Sequence, residues 1–138
     1  MVGMALADLS QKMGKIDFGM LSTRAQGGAV ASRPMSNHGE SFFFTYEEAR
    51  TVSDIEGNAE VGLTFTGAAG LLGGPPLFIA AEGRAELIRD KAQFEAHWTK
   101  DLDRWFEQGV DTPGIVMIRV RATRVHYWNG SDEGEIAL

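Results

Sequence analysis

The run from residue 115 to residue 128 is the longest stretch of strand character in the chain, and it limits the possible folds. Apolar side chains recur at every second position, which is the period of a strand with one face in a core. One face carries Val116, Ile118, Val120 and Ala122, and the other carries Met117, Arg119, Arg121 and Thr123. We therefore expect a long strand here, the last of the fold.

Further segments upstream have strand composition, and the turns between them favour hairpins. They cover residues 16–24, 29–33, 41–45, 60–66 and 77–88. Gln26-Gly27-Gly28 predicts a hairpin turn, Pro34 is expected to end pairing on its strand, and Gly83 marks a bulge. Because strand–helix–strand alternation is absent, the pattern predicts an antiparallel sheet closed into a small barrel.

Helical patterns flank this sheet. They cover residues 4–14, 47–56 with two glutamates in the first turn, and 90–107, where Asp90 caps the helix and a break falls near Thr99. Residues 67–76 are rich in glycine and proline and predict a loop, and residues 131–138 are predicted as a polar tail. The length of 138 residues fits one mainly β domain over residues 1–138, with peripheral helices.

Composition excludes several kinds of function. The net charge is −6, with 13 basic against 19 acidic residues, which disfavours nucleic acid as a partner because that binding depends on clustered basic side chains. The absence of cysteine excludes disulfides and thiolate chemistry. His38, His97 and His126 lack the spacing of a metal motif. With no secretion signal or apolar membrane span in the sequence, we expect a cytoplasmic protein that binds no membrane.

A candidate binding segment runs through Ser32-Arg33-Pro34-Met35 and continues in Phe43-Phe44-Thr45. The planar guanidinium of arginine matches a phosphate, and threonine adds a neutral donor beside aromatic rings. Arg50 follows shortly and supplies a second cation. The pattern indicates half of a site for a flat, phosphorylated ligand, although Arg33 could equally be an ordinary surface arginine.

Other motifs have simpler interpretations. The glycine-rich run 67–74 matches neither phosphate-loop template, and no G-x-S-x-G motif indicates a serine hydrolase. Phe94, Trp98, Trp105 and Phe106 lie at helical spacing, which is typical of a helix that packs its aromatic face on the sheet. Trp105 and Phe106 could also cover a ligand ring, and the two interpretations are compatible.

Six segments together resemble a known family. They are Phe18-Gly19-Met20-Leu21-Ser22-Thr23, Ser32-Arg33-Pro34-Met35, Phe43-Phe44-Thr45, Ala81-Glu82-Gly83-Arg84-Ala85-Glu86-Leu87, Trp105-Phe106 and Val125-His126-Tyr127-Trp128. In this order they resemble the pyridoxamine 5′-phosphate oxidase-like, FMN-binding split-barrel proteins, and in particular the general stress protein branch. The resemblance runs from about residue 9 to residue 129.

The resemblance implies a six-stranded antiparallel split barrel that forms a homodimer, with FMN, or alternatively FAD, in clefts at the dimer interface. It implies that Arg33 contacts the flavin phosphate. Many members have a lysine where this chain has Thr51, and Arg50 is expected to substitute for it. The remaining residues expected near the flavin are Ser32, Pro34, Met35, Phe43, Phe44, Thr45, Trp105 and Trp128.

The function implied is that of a flavin-dependent oxidoreductase with an unidentified small-molecule electron donor or acceptor. Chemistry of this kind resides on the flavin, so no catalytic side chain is nominated. The C-terminal segments that hold pyridoxal phosphate in true pyridoxamine oxidases have no counterpart in this chain. Three alternatives stay open: a flavin storage or sensing module without turnover, a flavin-free interaction domain, and a haem-handling protein.

Overall fold

The computed structural model describes residues 6–13, 16, 18–36, 42–67 and 74–138. Its α-helices are α1 (Leu6–Met13), α2 (Arg50–Gly57) and α3 (Lys91–His97). Its strands are β1 (Phe18–Arg24), β2 (Val30–Ser36), β3 (Phe42–Tyr46), β4 (Glu60–Thr66), β5 (Leu77–Ile88), β6 (Ile115–Asn129) and β7 (Asp132–Ala137). Short 3-10 helices cover Gln26–Gly28, Lys100–Arg104 and Gly109–Asp111. None of the described helices is long and apolar enough to cross a membrane.

All strands join one antiparallel sheet, and this confirms the predicted mainly β fold. Six strands follow one another in the order β2-β1-β4-β5-β6-β3, and β7 pairs with β6 outside this path. β5 pairs with most of β6 on one edge, while β3 and β7 pair with its two ends on the other. No described residue of β2 pairs with β3, so the curled sheet is split at this point.

The buried apolar side chains form two clusters. The larger cluster, which we call the barrel core, includes Leu21, Phe43, Leu63, Phe65 and Tyr127, and Leu9 of α1 joins it. The smaller cluster, which we call the lateral cluster, contains Phe44, Phe94, Leu102, Phe106, Ile115 and Met117. The lateral cluster fixes the segment between β5 and β6 against β3 and the start of β6.

β3 separates these two clusters by the alternation of its side chains. Phe43 faces the barrel core and Phe44 faces the lateral cluster, as expected for neighbouring residues of a strand. Phe44 meets Trp98 and Phe94 edge to face, at centroid distances of 5.0 and 6.0 Å. The predicted packing of an aromatic helical face on the sheet is thus confirmed for Phe94, Trp98 and Phe106, which all join or pack on the lateral cluster.

Two predictions about strand ends are wrong. Pairing on β2 continues through Pro34, which lies opposite Met20, as far as Ser36. β2 is an edge strand, and one row of its backbone groups has no ladder partner, so a residue without N–H is tolerated there. The predicted polar tail forms β7, which raises the number of strands from six to seven.

Two acidic side chains of β7 pair with basic side chains of the neighbouring strand β6. Glu135 lies 3.0 Å from Nε of Arg124, and Glu133 lies 2.9 Å from Nε2 of His126. Ile136 packs against the barrel core from the opposite face of the strand. Composition alone did not predict this strand, because its acidic residues suggested a solvated tail. Their partners Arg124 and His126 come close only when β7 pairs with β6.

The structure corrects the predicted start of the second helix and confirms the cap of the third. α2 begins at Arg50 and no side chain caps it, so the predicted first-turn glutamates lie outside the helix. Glu47 instead forms two hydrogen bonds with Arg89, and the pKa of its carboxyl is lowered by them. Asp90 caps α3 as predicted by accepting a hydrogen bond from the backbone of Ala92, and the predicted break near Thr99 is confirmed.

The bulge between Glu82 and Gly83 is confirmed, and its cause is the close approach of β6. A Cβ at Gly83 would lie 2.4 Å from the carbonyl oxygen of Arg121. This distance cannot be relieved by a side-chain rotation, because the contacting atom belongs to the backbone. Glycine is therefore required at this position by the spacing of the two strands.

We predict that Gly83→Ala lowers the free energy of unfolding by roughly 1–3 kcal/mol, the usual effect of overpacking. Gly62→Ala is the matched control, since a Cβ there meets atoms only at 3.8 Å or beyond on the neighbouring strand. Urea unfolding of the two variants measures the difference. Equal stabilities of the two variants would contradict this explanation of the bulge.

Candidate functional site

An apolar cleft of about 350 Å³ opens between the β2 edge, β3 and the 3-10 segment Lys100–Arg104 with the residues that follow it. Residues from distant parts of the sequence line it: Phe18, Pro34, Met35, Phe44, Thr45, Tyr46, Leu102, Trp105 and Phe106. Most of these side chains are apolar or aromatic. The cleft therefore suits a flat, largely apolar group, with a few polar atoms at its margin.

The aromatic wall of the cleft is held by contacts with the lateral cluster. The ring of Tyr46 lies 5.2 Å from that of Phe106, and its hydroxyl donates to the carbonyl of Trp105 at 3.4 Å. The Trp98 ring lies 5.6 Å from the same Phe106 ring. These contacts fix the backbone on which Trp105 is carried, while the Trp105 side chain itself remains 55% exposed. A large exposed aromatic at the rim is available to cover a bound ring.

Polar groups of β1, β2 and α2 converge on one carboxylate, and we call this arrangement the Asp54 cluster. Its members are Thr23, Arg33, Arg50 and Asp54. Oδ2 of Asp54 accepts a hydrogen bond from the hydroxyl of Thr23 at 2.9 Å. The same oxygen lies 3.6 Å from Nη2 of Arg33 and 3.7 Å from Nε of Arg50. Asp54 is only 7% exposed, so these partners must offset the free-energy cost of burying its charge.

Arg33 is held in the cluster by further bonds from its Nη1. This atom donates to the Thr23 hydroxyl at 2.8 Å and to the carbonyl of Leu21 at 3.3 Å. Partial burial lowers the pKa of the Arg33 guanidinium, Asp54 raises it in part, and Arg50 lowers it again. The group stays protonated at any working pH. The guanidinium of Arg33 is therefore a permanent positive charge whose orientation is set by Leu21, Thr23 and Asp54.

Arg33 is connected through its neighbours to two depressions of the surface. Pro34, which follows it on β2, lines the apolar cleft, whereas its partner Asp54 lines a second groove of about 570 Å³. Arg24 and Arg50 also line this second groove, which therefore carries cationic side chains.

The structure brings part of the predicted site together. Pro34, Met35, Phe44, Thr45 and Trp105 all line the cleft. Arg33 and Arg50, the two predicted cations, meet at Asp54.

The other predicted residues lie elsewhere. Ser32 is exposed and pairs with the hydroxyl of Ser22 at 2.7 Å, and Phe43 is buried in the barrel core. Thr51 is buried on α2. Trp128 stacks on His126 on the outside of the sheet. For these residues a role in ligand binding stays a prediction.

Sequence reasoning missed Thr23, Tyr46 and Asp54 as site residues. A signal for Asp54 was present, because Arg50 and Asp54 are four residues apart on a predicted helix and such pairs interact. Nothing in the sequence indicated that Arg33 reaches the same carboxylate, since this contact joins β2 to α2. Among the described residues, no three histidine, aspartate or glutamate side chains are grouped to hold a metal ion.

Comparison with known proteins places the chain in a family. The family model described as "Pyridoxamine 5'-phosphate oxidase like" matches residues 5–138. No curated protein matches the sequence significantly. General Stress Protein 26 from Bacillus anthracis str. Sterne superposes with a TM-score of 0.71 at 23% identity, over 94% of this chain and 98% of that one.

Two further solved structures share the fold. A Clostridium acetobutylicum protein related to general stress protein 26, of the pyridoxinephosphate oxidase family, has a TM-score of 0.77 at 18% identity, covering 96% and 94% of the two chains. A heme binding protein from Mycobacterium smegmatis has a TM-score of 0.77 at 13% identity, covering 99% of this chain and 60% of that one. The family resemblance predicted from the sequence is confirmed, and the chain belongs to the pyridoxamine 5′-phosphate oxidase-like family.

Proposed function

We propose that this protein binds FMN in the apolar cleft and acts as a flavin-dependent oxidoreductase of the general stress protein type. The observation that carries the proposal is the aromatic cleft, whose wall includes Pro34, the residue next to Arg33 on β2. A flavin needs a flat apolar slot for its ring system and a cation for its phosphate, and the strand that lines this cleft carries both Pro34 and Arg33. Solved structures named for general stress protein 26 share the fold in which this cleft lies.

In this proposal each part of the site has one task. The aromatic side chains of Phe44, Tyr46 and Trp105 bind and shield the ring, and the hydroxyl of Thr45 supplies a polar contact at its edge. Arg33 holds the phosphate with its direction fixed by Thr23. Bound flavin supplies the hydride or electron transfer, and the protein orients it and excludes water.

We also propose that two copies associate through the outer face of the sheet. Met20, Thr64 and Ala80 follow one another across β1, β4 and β5, and the row continues to His126. In the next row Phe78 lies opposite Trp128. Met20, Phe78 and Trp128 are each about 40% exposed, at 40%, 42% and 37%. Large apolar side chains left exposed on one face of a sheet are candidates for a protein interface.

The same face continues to the cleft. Phe18 precedes Met20 on the outer side of β1, is 54% exposed, and lines the cleft. A second copy seated on this face would therefore also cover one side of the cleft. This supports the predicted arrangement in which the flavin lies at the dimer interface.

The alternatives differ in what they require of the cleft. A storage or sensing module needs the same binding site, and only reduction of the bound flavin by a nicotinamide donor would separate it from an enzyme. A haem protein normally supplies an axial histidine. The described histidines do not line the cleft: His97 stacks on Phe42, and His126 stacks on Trp128.

The first prediction concerns the cofactor itself. Purified protein is expected to show the visible absorption of a flavin, or to gain thermal stability when FMN is added, because a ligand that binds only the folded state raises Tm. Absorption spectroscopy and thermal scanning measure these effects. A colourless protein whose Tm does not respond to FMN would favour the flavin-free interaction domain instead.

The second prediction concerns Arg33. We expect Arg33→Ala to weaken FMN binding by about 2 kcal/mol, or about 30-fold, because a charge-assisted phosphate contact is lost. Riboflavin, which has no phosphate, should lose little affinity. Arg121→Ala is the matched control, since Arg121 pairs with Glu86 and lies outside the cleft and the Asp54 cluster. Equal losses for both ligands would show that Arg33 acts through folding.

The third prediction concerns association. Met20→Glu combined with Phe78→Glu should convert a dimer into a monomer, because each copy would bury two carboxylates in the interface without partners. Ala92→Glu on the exposed surface of α3 is the control and should leave the assembly unchanged. Sedimentation velocity gives the molecular mass in each case. A dimer that survives both glutamates must use another surface.

A further inference from the structure

Asp54 is unusual for a phosphate site, because it carries a negative charge where the ligand is expected to carry another. Both cations of the predicted site, Arg33 and Arg50, lie within 3.7 Å of its Oδ2. The hydroxyl of Thr23 donates to the same oxygen and accepts from Arg33. The carboxylate of Asp54 thus engages the arginine and threonine groups that a phosphate would otherwise bind.

The charges of the Asp54 cluster add to a small positive value. Two guanidinium groups and one carboxylate leave a net charge of +1, whereas the same cluster without Asp54 would carry +2. A phosphate dianion bound by the two arginines would gain attraction from them and suffer repulsion from Asp54, which they contact. Screening by water is limited at this point, because Asp54 is 7% exposed.

The carboxylate is also held firmly in place. It belongs to the face of α2 that packs on the sheet, and its neighbours Val52 and Ile55 are buried there. Its bond to Thr23 joins α2 to β1. Because helix and strand both restrain it, Asp54 cannot rotate away from an incoming anion as a surface carboxylate would.

We propose that Asp54 is a specificity-determining residue of this site, which weakens binding of a phosphate dianion and favours flat ligands whose polar end carries one negative charge or none. The inference rests on the proposed flavin site and deepens it. Arg33 still attracts an anionic end, but Asp54 limits how much a second negative charge adds. The protein therefore discriminates less between FMN and riboflavin than a site with two free arginines would.

The test compares the affinities of FMN and riboflavin for the unsubstituted protein and for Asp54→Asn. Asparagine has the same shape and can still accept the hydrogen bond of Thr23, but it lacks the charge. We expect the ratio of the two dissociation constants to shift in favour of FMN by about tenfold, with riboflavin affinity unchanged. Titration calorimetry or quenching of flavin fluorescence measures both ligands on the same protein.

Glu56→Gln is the matched control. It removes one negative charge from the same helix, but Glu56 is exposed and pairs with Arg89, away from the Asp54 cluster. The control should leave the ratio unchanged, which separates a local effect from a change in net charge. If Asp54→Asn does not fold, Asp54→Ser removes the same charge with a smaller polar side chain and replaces it in the test.

Each outcome has a distinct meaning. A ratio for Asp54→Asn that equals that of the unsubstituted protein would overturn the role of Asp54 while leaving flavin binding intact. If Asp54→Asn binds FMN and the unsubstituted protein does not, the role of Asp54 is confirmed and FMN binding by the native chain is refuted. Failure of both proteins to bind either flavin would refute the proposed function and this inference with it.

Discussion

The pairing of β6 along both of its edges is the constraint on which the rest of the structure depends. Most of its 15 residues pair with β5 on one edge, and its two ends pair with β3 and β7 on the other. Moving β6 by one residue would turn its buried side chains to the wrong face, because side chains alternate. The bulge at Gly83 fixes this register further. The position of β3, and therefore of one wall of the cleft, follows from it.

The alternation of β3 then decides what the cleft is made of. Phe43 is directed into the barrel core, so Phe44 must face the opposite side, where it packs with Phe94 and Trp98. The lateral cluster that results holds the segment carrying Leu102 and Phe106, and these residues complete the cleft. One strand thus couples packing of the core to the shape of the site. A change that loosened the lateral cluster would open the cleft as well.

The sequence predicted the parts of this structure that depend on local pattern. The strand periodicities, the bulge at Gly83 and the break near Thr99 are all signals within one segment, and the structure confirms them. It was wrong where a distant partner decides the outcome. Pro34 is tolerated because β2 has a free edge, and β7 forms because β6 supplies a ladder and opposite charges. Arg33 was recognised by its type, but its pairing with Asp54 depends on the packing of α2 against β1.

The bonds of the Asp54 cluster stabilise the fold, and in the proposed site they also affect ligand choice. A carboxylate that is 7% exposed requires a donor and a cation, and Thr23 and Arg33 meet this requirement. Replacing Asp54 with an apolar residue would remove the cost of burying its charge, but it would also leave Arg33 and Arg50 without this carboxylate. The native carboxylate joins α2 to the sheet and neutralises part of the positive charge of the two arginines. If Arg33 binds an anionic ligand as proposed, the carboxylate that positions it also limits the affinity.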